Sequence, residues 1–183
     1  MNVLKGTWAA IDFETAIPDV TSVCQIGVVR VERGKVIDRR CELVRTPAPK
    51  FDFTHIHGIT WEMVKDKDPF ADTWPLFAPL VDGVEFFAAH NAAFDSRVLA
   101  ACCKAARIDA PKVAWVCTVK EAKAKWREKA NDLKTCSLRV GWTMASHHDA
   151  LSDAEACAAV LMGAHGGKLD TLPTMAQLLG GLV

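Results

Sequence analysis

A mixed α/β fold, with a five-stranded sheet built from an antiparallel meander plus parallel strands and flanked by helices, is what this 183-residue sequence predicts. Three observations lead there. Short apolar runs with strand character recur along the first two thirds of the chain, and segments of helical periodicity alternate with them from residue 70 onward. Glycine, proline and capping residues fall between the runs, so the chain turns where the pattern changes.

The elements follow in order. Trp8 to Asp12 is a compact apolar strand. Gln25 to Val31 is a second, joined through Glu32-Arg33-Gly34-Lys35 to a third over Val36 to Val44, and the three form an antiparallel meander. Pro47 and Pro49 break the pattern. The segment Pro69 to Val81 reads as one helix, with apolar positions at Phe70, Trp74, Phe77 and Leu80 or Val81. Val84 to Ala89 returns as a strand, Asn91 caps a helix from about Ala93 to Ala106, and Val113 to Val116 is a short strand. Val119 to about Lys129 and Ala150 to Ala164 are helical, and Thr171-Leu172-Pro173 before Met175 to Leu179 predicts a last short helix. No pattern emerges over Ala130 to Ser146, a stretch expected to shape a substrate groove.

One domain over residues 1–183 is expected, its core at about 7–164 and a tail at 165–183. Half the residues are hydrophobic, yet no run approaches the roughly 20 apolar residues of a membrane span. The start, Met1-Asn2-Val3-Leu4-Lys5, lacks the form of a secretory leader, so a cytoplasmic location and no membrane association are expected. The cysteines number seven, an odd count, and most lie in apolar runs, which predicts buried reduced thiols. A zinc site finds little support, since no Cys-x-x-Cys occurs and Cys117 and Cys136 lack close partners.

Charges balance at 22 acidic and 22 basic, so no global field steers the chain toward a polyanion. Any such affinity is local. The densest basic stretch is Lys120, Lys123, Lys125, Arg127 and Lys129, followed by Lys134 and Arg139, with helical spacing placing Lys120, Lys123 and Arg127 near one face. A solvated helix face and a nucleic-acid backbone contact both fit it.

Chemistry concentrates in three strings. In "AAIDFETA" the strand period of two puts Asp12 and Glu14 on one side of the sheet and Ile11 and Phe13 on the other. Two carboxylates so close repel unless a cation compensates them, and all-oxygen ligands favour a hard ion such as Mg²⁺ or Mn²⁺. An isolated Asp-x-Glu is more often a strand end in solvent. In "AAHNAAFD", Asp95 lies in the first turn of a helix, where an acid complements the helix dipole, but the preceding strand also lets it project toward Asp12 and Glu14. In "SHHDALSDAEA", Ser152-x-x-Glu155 imitates a capping box, while His148, five positions before Asp153, can share a cavity with it and accept a proton near neutral pH. His147 is its immediate neighbour.

Taken together, "DFET", "HNAAFD" and "HDALSD" resemble the three exonuclease motifs of the DEDDh exonucleases in the DnaQ-like superfamily, whose fold is ribonuclease H-like. "QIGVVRVERGKVID" resembles the family's second and third strands, "IHGIT" its connector and "VCTVKEAK" the start of a later helix, so about Trp8 to Ala164 is covered. Relatives with tyrosine in place of the histidine carry it four residues before the last acid; this chain has no tyrosine and holds Asp149 there, so the histidine type is the complete assignment. The resemblance also favours His148 over His147.

The resemblance implies a 3′→5′ exonuclease that hydrolyses phosphodiester bonds at the free 3′ end of single-stranded nucleic acid, DNA ahead of RNA, and releases nucleoside 5′-monophosphates. Two divalent ions, Mg²⁺ or Mn²⁺, are implied, with Asp12, Glu14, Asp95 and Asp153 as ligands and His148 as general base. Implied substrate contacts are Phe13, Thr15, His57, His90, Asn91 and Phe94; a core position is the equal alternative for Phe13 and the commoner fate of a helical Phe such as Phe94. Association with a polymerase or with a second copy is a further partner the resemblance admits. Ile17-Pro18-Asp19 departs from the family's usual turn after the first motif. An exoribonuclease and a catalytically silent nucleic-acid-binding or polymerase-docking module are the alternatives.

Overall fold

The structure is a computed structural model that describes residues 1–170; the helix predicted over Met175 to Leu179 lies outside the described residues. Three antiparallel strands come first: β1 (Thr7–Thr15), β2 (Val23–Glu32) and β3 (Lys35–Leu43). The β2–β3 turn holds only Arg33 and Gly34, both with positive φ (51° and 78°), which is the backbone a two-residue hairpin requires. β1 runs three residues further than the sequence predicts, so Asp12 and Glu14 are strand residues rather than a strand end.

Two short helices, α1 (Thr54–His57) and α2 (Trp61–Val64), fill the connector. The helix predicted over residues 69–81 is instead three pieces: α3 (Phe70–Thr73), a 3₁₀ turn (Trp74–Phe77) and α4 (Ala78–Val81). Pro75 and Pro79 explain the difference. Each lacks an N–H and is accommodated only near the start of a new turn, so the apolar spacing persists while the hydrogen-bond ladder restarts.

β4 (Phe86–Ala89), α5 (Ala92–Ala106), β5 (Ala114–Cys117) and α6 (Thr118–Trp126) follow. α6 ends at Arg127 in a left-handed conformation (φ 54°), so Arg127 leaves the helix face it was expected to share with Lys120 and Lys123. The unpatterned 130–146 stretch contains α7 (Leu133–Arg139), capped by Asp132 accepting from the Thr135 N–H at 2.9 Å. The last described helix, α8 (Ala150–Ala164), has the bounds the sequence predicts.

The sheet order is β3-β2-β1-β4-β5, antiparallel on the β2 side of β1 and parallel on the β4 side. Alternation along β1 splits the core in two. Trp8 and Ala10 face Val29, Val31, Phe86 and the apolar side of α8, while Ala9, Ile11 and Phe13 face Phe77, Leu80, Phe87 and α5. Helices therefore cover both faces. All seven cysteines are free thiols, with Cys24, Cys102, Cys103, Cys136 and Cys157 buried and Cys41 and Cys117 half-buried. Among the described residues no helix is long and apolar enough to cross a membrane.

Candidate active site

β1 reverses the sense of pairing between its two neighbours, and the crevice at the carboxyl ends of β1 and β4 is where open α/β sheets bind ligands. Asp12 and Glu14 continue the side of β1 that carries Trp8 and Ala10, so they emerge toward α8. Asp153 sits in the first turn of α8 and Asp95 in the first turn of α5, on opposite layers, so two helix amino termini meet across the strand end.

One ligand oxygen each of Asp12, Glu14 and Asp153 lies within 4.8 Å of the other two. A second group, His147, His148 and Asp153, meets the same limit. Asp95 is 2 % exposed and stands outside both triples, but its charge acts on Asp12 and it is held by backbone N–H groups, its own and that of Phe13. The structure thus brings the four acids and the histidine pair to one place, with Asp95 at the rear.

The electrostatics are those of unneutralised acids. Burial, then Asp95, Asp153, Glu14 and Asp149, raise the Asp12 carboxyl well above its ordinary range. Burial followed by Asp153 and Asp149 pushes Glu14 up to about 7, and burial pushes Asp95 up to about 8. Asp153 is raised by burial and pulled back by His147. Among the described residues no lysine or arginine pairs with any of the four. Four convergent oxygen donors with no cationic side chain to neutralise them are a donor set that fits hard divalent cations.

The histidines are held in an unusual way. His148 adopts φ 61°, a left-handed conformation that costs a non-glycine residue about 1 kcal/mol or more. That turn directs its backbone N–H at Asp153 and stacks its ring on His147 at 3.9 Å between centroids. His147 Nδ1 itself lies 3.4 Å from the Asp153 carboxylate. Burial, then His147, lower the His148 pKa while Asp153 opposes them, a direction that favours the neutral ring able to accept a proton.

Four of the residues expected to contact substrate are buried or bonded within the chain. Phe13 is 3 % exposed and packs against Trp74 at 6.5 Å, so of its two alternatives the core position is realised; strand phase aims it away from the acids. His90 spends both ring nitrogens on its own chain: Nε2 donates to the Asn131 carbonyl at 2.9 Å and Nδ1 accepts from Thr118 Oγ1 at 2.8 Å. It ties β4 to α6 and the loop after it. His57 Nδ1 accepts the Ile59 N–H at 3.0 Å, which leaves Nε2 protonated and donating to the Thr15 carbonyl at 3.2 Å. Thr15 is buried behind that bond. Asn91 differs: it is exposed, has φ 85° and makes no cap bond with its side chain, leaving the amide free at the crevice. Phe94 is half-buried against the α5-side core.

Sequence reasoning missed what seats α8. The cap is Asp149, whose Oδ1 accepts from the Ser152 N–H at 3.0 Å, not the expected Ser152–Glu155 box; Glu155 pairs with Arg39 instead. Gln25, directly across the β1–β2 pair from Glu14, donates to Asp149 Oδ2 at 3.2 Å and accepts the Ala150 N–H at 3.0 Å. Gly27 stands across from Asp12, and a Cβ there would lie 2.2 Å from the Ala150 carbonyl group. No local signal marks these roles, because the Ala16 to Ser22 link is too long for its length to fix the register. A cavity of about 460 Å³, lined by residues including Val44, Trp61, Phe70 and Cys102, contains none of the five motif residues.

An exonuclease family model matches residues 9–161. The chain is 32 % identical over 166 residues to exodeoxyribonuclease 10 of Escherichia coli K12, covering 86 % of this chain and 69 % of that one. It is 28 % identical over 162 residues to the PolC-type DNA polymerase III of Thermotoga petrophila, but spans only 12 % of that relative's length. A solved structure of exonuclease X in complex with 5′ overhanging duplex DNA superposes with a TM-score of 0.69 at 27 % identity, covering 88 % of this chain and 95 % of that one.

Proposed function

This chain belongs to the exonuclease family, and from that premise we propose that it is a 3′→5′ exonuclease of the DEDDh type, which removes nucleoside 5′-monophosphates from the 3′ end of single-stranded DNA. The convergence of Asp12, Glu14 and Asp153 oxygens within 4.8 Å, beside the His147–His148 pair, is the observation that carries this reading. The exodeoxyribonuclease and DNA-complex relatives support DNA as the substrate.

Asp12, Glu14, Asp95 and Asp153 would hold two Mg²⁺ or Mn²⁺ ions, which supply charge stabilisation at the scissile phosphate and acidify the attacking water. His148 takes the proton from that water. The neutral imidazole has the acceptor lone pair this role needs, and the left-handed turn holds the ring in position. Asp153 orients the histidine pair and, as a carboxylate, offsets the positive charge that develops when a ring is protonated. Asn91, with its exposed and unused amide, contacts the terminal nucleotide, and Phe94 offers a partly exposed ring beside it.

Digestion of one oligonucleotide labelled in turn at its 3′ and 5′ ends, with Mg²⁺ or Mn²⁺, tests the proposal. Immediate release of a labelled mononucleotide from the 3′ label, with a descending ladder from the 5′ label, is the expected result. Absence of release from either end overturns it. Matched single-stranded DNA and RNA in the same assay rank the substrates.

A further inference from the structure

α7 and the segment before His148 enclose a cleft of about 210 Å³ that has no part in holding the acids together. One wall is Lys134, Ser137 and Leu138, which share a face of α7 by their spacing; the other is the run from Thr143 to His147. His147 closes one end of the cleft and reaches Asp153 at 3.4 Å, so the cleft begins at the acid cluster.

The walls have an uncommon makeup. Leu138 is 58 % exposed on a helix whose Leu133 and Cys136 are buried in the core. Lys134 is exposed, and among the described residues no carboxylate pairs with it, nor with Lys120, Lys123, Lys125, Arg127 or Lys129. From residue 120 to 139 seven cations face three acids, in a chain whose totals balance at 22 each. Two of those acids are occupied, Glu121 with His165 and Asp132 as the α7 cap.

The surface is also fixed relative to the site. His90, four residues before Phe94, donates to the Asn131 carbonyl, and Arg139 is held over Trp126 at 5.2 Å while bonding the Ala130 carbonyl. The loop bearing Arg127 and Lys129 is thereby pinned to β4 on one side and α7 on the other. A row of unpaired cations beside an exposed aliphatic group complements a flexible polyanion that carries flat apolar bases.

We propose that this cleft is the track for the strand on the 5′ side of the scissile phosphate, with Lys134 taking a backbone phosphate, Leu138 meeting a base, and Arg127 and Lys129 extending the positive surface. The inference rests on the nuclease reading above, and binding separates the two. Fluorescence anisotropy of labelled oligothymidylates, a trinucleotide and a dodecanucleotide, is measured in chelator for the parent, Lys134→Gln and Leu138→Ser, with Lys104→Glu on the opposite layer as a charge control. Each cleft variant is expected to bind the dodecanucleotide about three- to tenfold more weakly, with a smaller loss for the trinucleotide, and Lys134→Gln to lower the salt slope by about 0.7. Unchanged affinities, equal losses at both lengths, an equal loss in Lys104→Glu, or failure of the parent to bind the longer strand overturns the track. Length-dependent binding without cleavage in Mg²⁺ or Mn²⁺ upholds the track and overturns the nuclease reading instead.

Discussion

Asp12 and Gly27 face each other across the antiparallel β1–β2 pair, and the space above Gly27 is where the first turn of α8 rests. The acid and the empty position belong together, because the absent side chain lets Asp153 descend to within ligand distance of Asp12.

Gly27→Ala forces α8 or β2 to shift, since the new Cβ would meet the Ala150 backbone at 2.2 Å and backbone cannot move aside like a flexible side chain. The expected cost is about 1–3 kcal/mol of stability together with a loss of about 10²-fold in turnover from displaced acids. Thermal unfolding and single-turnover cleavage measure the two, and a fully active variant of unchanged stability would contradict the seating of α8 on Gly27.

Gln25→Leu removes two hydrogen bonds and leaves the Ala150 N–H buried without its acceptor. A cost of about 1–3 kcal/mol is expected, with faster amide exchange at Ala150 and Ser152 than at residues in the middle of α8. Exchange that quickens uniformly along the helix would mean that Gln25 does not act as a local clamp.

His148→Ala should lower kcat by about 10²–10⁴-fold with little change in KM. His147→Ala should cost less, since its observed contact is to the Asp153 carboxylate rather than to a free space where water can stand. Single-turnover rates for both variants decide the matter, and a reversed order transfers the proton-accepting role to His147.

Without divalent ions, stability should fall as pH rises. Glu14 and Asp95 have ordinary values of 4.5 and 3.8 but reach about 7 and about 8 when folded, chiefly through burial. Below pH about 3 both are essentially neutral folded or unfolded and contribute nothing; above it the unfolded chain ionises first, so the folded state loses ground until pH about 8. Mg²⁺ or Mn²⁺ binds the ionised acids and offsets the loss. Melting curves at about pH 5.5 and about pH 8.5, with chelator and with metal, should show metal stabilisation growing with pH; a metal shift equal at both values would argue against the coupling.

Asp12→Asn should stabilise the metal-free protein while removing activity. Asp12 is burdened first by burial and then by the charges of Asp95, Asp153, Glu14 and Asp149, so an uncharged amide in its place relieves both the desolvation and the repulsion. Each kcal/mol relieved raises the melting temperature by about 2–4 °C in a domain of this size, whereas turnover should fall by about 10³-fold or more as transition-state charge stabilisation is lost. A variant melting lower than the parent in chelator would contradict an Asp12 carboxyl that weakens the metal-free fold.

Several elements were legible because their signals lie within a few residues of one another. The Arg33-Gly34 hairpin, the alternation that sets Asp12 and Glu14 apart from Phe13, and the apolar run of α8 are all local patterns. The interrupted helix at residues 70–81 was misread because periodicity outweighed Pro75 and Pro79, and α7 was missed because seven residues are too few for a periodic signal. The intrachain bonds of His90 were not legible, because its partners Thr118 and Asn131 lie 28 and 41 residues further along, beyond any local pattern.

The sequence by itself determined which strand or helix start carries each of these acids and histidines, because alternation, capping and motif spacing act over a single turn or strand. Only the tertiary structure decided the pairing of Asp12 with Gly27 and Glu14 with Gln25, the approach of Asp95 from the opposite helical layer, and the cleft beside α7. Those relations arise from strand register across a long link and from helices packing on a sheet, where the contacts that set the geometry join residues far apart in the chain.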